Sequence, residues 1–91
     1  MNKAEFVEQI AEKSELTRRD AEIAVDAALR TIEEQLARGS EITLTGFGKF
    51  HVADRGARQG RNPQTGAPIQ IKASRVPRFS AGSKLKQLVN R

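Results

Sequence analysis

Eighteen consecutive residues, RGARQGRNPQTGAPIQIK at positions 55 to 72, limit what this chain can build. The segment holds four basic residues, no acidic one, and only Ile69 and Ile71 as large aliphatics. Three glycines and two prolines interrupt it. A fifth of the chain therefore has almost nothing to bury. The remaining residues must supply the core, and with 91 residues in all they make one small domain. Four phenylalanines are the only aromatic residues, and there is no cysteine. Disulfide staples and thiolate metal sites are thereby excluded, and a single histidine, His51, makes a structural zinc site unexpected. No metal or cofactor is expected. The inexpensive way left to complete such a core is a second copy, so a homodimer is expected.

Charge is unevenly placed. Residues 1–45 carry six Lys/Arg against ten Asp/Glu, whereas residues 46–91 carry ten against one, with no acid after Asp54. A surface that is merely solvated mixes its signs; this one points to a polyanion, nucleic acid before an anionic membrane. The basic half lacks an amphipathic helix with a wide apolar face, which argues against the membrane. No apolar run reaches the roughly 20 residues of a membrane span and no signal-peptide pattern opens the chain, so a cytoplasmic protein is expected.

Local patterns give an α+β order. Asn2 with Glu5 marks a helix start, and Phe6, Val7, Ile10 and Ala11 follow at helical spacing, predicting a helix over 3–13. Thr17 with Asp20 marks a second start, and Ala21, Val25, Ala28, Leu29, Ile32 and Leu36 form its stripe up to Gly39. The two make a helical hairpin over 1–39. The period then drops to two: Ile42 and Leu44, then Phe50 and Val52, alternate with polar residues around Gly46-Phe47-Gly48. Sheet is expected over 41–54 and 75–79. Ser80 is expected to cap a last helix over 80–90, with Leu85, Leu88 and Val89 on one face.

Between these lies the basic segment, 55–74. Asn62-Pro63-Gln64-Thr65-Gly66 is dense in turn chemistry, and Ile69, Ile71 and Ala73 alternate with Gln70, Lys72 and Ser74. Two outcomes fit: a solvated basic loop, or a two-stranded arm that orders on a polyanion. In the second, Pro63 is an apolar tip suited to wedging between base pairs from the minor groove. Arg55, Arg58, Arg61, Lys72 and Arg75 supply the charge. Catalysis has little support. Gly46-Phe47-Gly48-Lys49 lacks the spacing of a phosphate loop, and His51 has no nucleophile or metal partner in view.

The runs Gly46-Phe47-Gly48-Lys49-Phe50, Gly60-Arg61-Asn62-Pro63-Gln64-Thr65-Gly66 and Val76-Pro77 with Phe79, together with Met1-Asn2-Lys3, closely resemble the HU family of bacterial histone-like proteins. The likeness spans essentially the whole chain, and the related integration host factor subunits share the fold. It implies an intertwined homodimer whose β-arms embrace double-stranded DNA in the minor groove, favouring bent, nicked or gapped forms, and an association with the nucleoid. By matching position it implies Pro63 as the intercalating tip, with Arg55, Arg58, Arg61, Asn62, Gln64, Lys72 and Arg75 on DNA. Lys3, Lys84 and Lys86 would make flanking contacts, and Phe47, Phe50 and Phe79 would fill a shared dimer core. Two departures stand out. Ala67 and Gln70 occupy arm positions where many relatives carry lysine, leaving more of the electrostatic work to the arginines and Lys72. RNA binding or docking to an acidic partner are the alternatives.

Overall fold

The computed structural model describes residues 1–56, 58–71 and 73–91, with the side chains of residues 58, 59, 70 and 71 outside the description. Its elements run α1 (Lys3–Ser14), α2 (Arg18–Ala37), β1 (Ile42–Leu44), β2 (Gly48–Arg55), β3 (Arg58–Arg61), β4 (Pro68–Ile71), β5 (Ser74–Ala81) and α3 (Ser83–Val89). The chain divides into two units, Met1–Gln35 and Leu36–Arg91.

In the first unit the helix starts are those the sequence signals. The Asn2 side-chain oxygen accepts the Glu5 N–H at 2.9 Å, and Thr17 Oγ1 accepts that of Asp20 at 3.1 Å. Each satisfies an amide that a first helical turn leaves without a partner. Val7, Ala21 and Val25 are buried together, with Ile10 and Ala11 packed against them. The side chain of Ala21 is small enough to let the two helices approach. One feature of the link has no sequence signal: α1 ends on Glu15 in the left-handed conformation, φ 62°. A β-carbon makes that conformation cost about 1 kcal/mol, which is why glycine usually holds it.

In the second unit β1, β2 and β5 form an antiparallel sheet in that order, and β3 pairs with β4 in a two-stranded one. Residues opposite one another in an antiparallel ladder share a face, and successive residues alternate. Ile42 pairs with Phe50, Phe50 with Phe79, and Val52 with Pro77, which collects the apolar side chains on one face. Phe79 packs its ring, tilted, 4.8 Å from that of Phe50 and 5.5 Å from that of Phe47. Gly48 lies beneath that ring. A Cβ there would stand 2.7 Å from the Ser80 carbonyl oxygen and closer still to Phe79, so no larger residue fits.

The final helix differs from expectation. Ser80 does not cap it: β5 continues through Ser80 and Ala81, which pair with Lys49 and Gly48, and α3 begins at Ser83 with Gly82 as N-cap. Gly82 donates its N–H to the Phe47 carbonyl at 2.8 Å, which ties the start of α3 to the β1–β2 turn. The ladder outcompetes a local cap because each further strand residue keeps its backbone groups paired. The sheet therefore spans Ile42–Leu44, Gly48–Arg55 and Ser74–Ala81, so β2 runs one residue past its expected limit and β5 starts one residue before and ends two after.

Candidate nucleic-acid interface

The basic segment is an arm. Arg58 pairs with Ile71, Gln59 with Gln70, Gly60 with Ile69 and Arg61 with Pro68. From Arg55↔Ser74 to Arg58↔Ile71 both strands advance by three residues, so the arm keeps the register of the sheet at its base.

Its apex is built by turn chemistry that the sequence spells out. Asn62 donates its N–H to the Ala67 carbonyl at 2.8 Å, and its own carbonyl accepts from the Gly66 N–H at 2.7 Å. The Asn62 side-chain oxygen accepts the Gln64 N–H at 2.9 Å, and Thr65 Oγ1 accepts that of Ala67 at 3.2 Å. Pro63 sits inside the Asn62–Gln64 bridge, where its missing N–H leaves nothing unsatisfied and its ring fixes φ. Gly66 closes the turn at φ 72°, a conformation that side chains resist. The outcome is an exposed proline ring at the apex, held from behind by four hydrogen bonds. Gln64 is exposed beside it, and Arg61 Nη1 reaches back to the Gly66 carbonyl at 3.5 Å.

The other expected contacts are distributed more widely. Arg55 is exposed at the end of β2. Arg58 has its backbone in β3, with its side chain outside the description, and Lys72 lies outside the described residues. Arg75 faces the apolar side of the sheet, and its Nη2 donates to the Leu36 carbonyl at 3.3 Å, near the end of α2. That carbonyl also accepts the Gly39 N–H at 2.9 Å, so Arg75 adds a second donor at the end of α2 and in the isolated chain serves the fold. Lys3 lies in the first unit and pairs with Asp26 at 2.7 Å; the hydrogen bond to that carboxylate, with its charge, raises the ammonium above its ordinary value and keeps it protonated. Lys84 and Lys86 are exposed on α3. Phe47, Phe50 and Phe79 do come together, on the side of the sheet opposite Lys49, His51 and Arg78.

Sequence reasoning missed the opposite face of that sheet. Register places Lys49, His51 and Arg55 of β2 there with Arg78 and Ser80 of β5. Alternation along β2 contained half of this pattern, but Arg78 joins it only once the pairing is known.

The sequence model of the family described as bacterial DNA-binding protein matches residues 1–90. The chain belongs to this family. Among its relatives, the DNA-binding protein HU of Streptococcus pyogenes is 53% identical over 88 residues, 97% of each chain. That of Staphylococcus aureus is 49% identical over 89 residues, 98% of this chain and 99% of the other. Among solved structures, Anabaena HU in a cocrystal with DNA matches at TM-score 0.89 and 46% identity, over 98% of this chain and 97% of that one. HU from Thermotoga maritima matches at TM-score 0.71 and 30% identity, over 98% of each chain. These similarities cover the arm as well as the helices. The fold of the HU family, three helices and a short antiparallel sheet with an extended arm, is the fold of this chain. Among the described residues no helix is long and apolar enough to cross a membrane, and no acidic or histidine cluster is arranged to hold a metal.

Proposed function

We propose that this chain is a non-enzymatic architectural DNA-binding protein that works as a homodimer, bends duplex DNA or stabilises bends already present, and helps to compact the nucleoid. The observation that carries this is the apex: an exposed proline ring on a stiff turn, at the end of an arm without a single carboxylate. Pro63 would enter a base step from the minor groove and kink it, while Arg55, Arg58, Arg61 and Lys72 neutralise phosphates alongside. Asn62 and Gln64 flank the step, and Arg75, Lys3, Lys84 and Lys86 extend the contacts along the flanks. Phosphate contacts carry no base code and the minor groove a degenerate one, so sequence preference is weak.

The dimer is supported by what one chain leaves uncovered. Among the described residues only Val7, Ala21 and Val25 are buried hydrophobics, while Phe6, Leu29, Leu44, Phe47 and Phe79 are each more than 40% exposed. The accessible surface is 7607 Å², against roughly 5,200 Å² for a globular monomer of this mass. A second copy placed over the phenylalanine face removes that excess from water. The cocrystal of the Anabaena relative with DNA supports the choice of partner.

A competition gel shift tests the function. Nicked or gapped duplex should displace the protein from intact linear duplex, because part of the deformation cost is already met at a nick. Single-stranded RNA should compete poorly: none of the four phenylalanines lies on the arm, so it offers no ring on which bases stack. Equal competition by all three would contradict an architectural role.

A further inference from the structure

We propose that His51 is a phosphate contact coupled to proton uptake: duplex bound against this face of the sheet is gripped more tightly as the pH falls. This rests on the DNA-binding function proposed above. His51 is in the middle of β2, directly opposite Arg78, two residues from Lys49 and diagonal to Ser80, whose Oγ lies 2.9 Å from its Nε2. Arg55 follows on the same face. Glu41, just before β1, has its carboxylate 3.7 Å from Lys49 Nζ and so is engaged by that lysine. Asp54 and Arg75 belong to the opposite face. The described charges around the imidazole are thus Lys49, Arg78 and Arg55 on the positive side and the lysine-paired Glu41 on the negative.

A phosphate laid across Lys49 and Arg78 sets negative charge beside the imidazole and favours its charged form in the complex. Once protonated, the ring donates from both nitrogens, Nε2 to Ser80 Oγ and Nδ1 to a phosphate oxygen. The Ser80 hydroxyl, then an acceptor from the ring, has its own proton free for the same anion. Because binding takes up a proton, affinity must rise as pH falls. His51 is the only histidine in the chain, and histidine is the side chain that ordinarily changes charge across the range involved.

The test measures duplex affinity by fluorescence anisotropy at constant ionic strength, from about pH 7.5 to about pH 5.5. The native protein should bind about fivefold tighter at the acid end for each His51 in contact, the scale of one exposed ion pair. His51→Gln should lose that gain while still binding duplex, and His51→Arg should bind at both pH values as tightly as the native protein does at the acid end. Calorimetry in two buffers of different ionisation enthalpy should show proton uptake for the native protein and none for His51→Gln. The same pH dependence in native and His51→Gln proteins would overturn the inference while leaving the DNA-binding function intact. Failure of the native protein to bind duplex at any pH would overturn both.

Discussion

Phe79→Ala should leave a largely unfolded chain that no longer dimerises. Phe79 is the hub of the sheet, packed against Phe47 and Phe50 and lying over Gly48. Truncating a phenylalanine in a core costs about 3–5 kcal/mol, a loss comparable with the whole stability of many small domains. The ring is 42% exposed in the single chain, and in the proposed dimer the second copy would complete its burial. Folding and association therefore fall together. Circular dichroism should show loss of structure, and sedimentation should show monomer at concentrations where the native protein is dimeric. A folded, stable Phe79→Ala monomer would contradict the shared core. No relief comes from the surrounding residues, because the glycine below the ring cannot grow to fill the space.

The second large effect is on DNA affinity. Neutralising phosphates releases condensed counterions, so log K falls linearly with log salt concentration. If each arm covers about three phosphates, the dimer should show a slope of roughly −5, a loss of about a thousandfold between 50 and 200 mM salt. Sequence leaves this contact to the arginines and Lys72: Ala67 and Gln70 carry no charge, and the only acid after residue 45 is Asp54. A slope near zero would remove the electrostatic basis of binding. Replacing Arg61 by alanine should make the slope shallower by about two in the dimer, since one phosphate contact is lost from each arm.

Features set by neighbours in sequence were legible from it. The caps at Asn2 and Thr17, the helical stripe of α2, the alternation of β2 and the Asn62–Gly66 turn each depend on residues a few positions apart. Their side chains make the bonds that their chemistry implies. What depended on pairing between distant strands was not legible. Ser80 has the chemistry of a helix cap, yet it lies opposite Lys49, and the ladder keeps it. Arg75 and Arg78 are alike as sequence, but an interval of three residues in a strand puts them on opposite faces. One then bonds a helix-end carbonyl and the other stands beside His51. Glu15 in a left-handed conformation is a third case, fixed by the link between two packed helices rather than by its own preference. For the candidate site, the arm and its tip were legible, whereas the basic face of the sheet was not.

Bending is the central claim, and end-to-end energy transfer across a doubly labelled duplex measures it directly. The native protein should bring the two ends together at saturation, and Pro63→Ala should reduce that change far more than it reduces affinity. The arginines proposed to hold phosphates remain in that variant, while the ring proposed to open the base step is gone. Unchanged end-to-end distance on binding of the native protein, or equal bending by Pro63→Ala, would contradict the wedge at the tip of the arm.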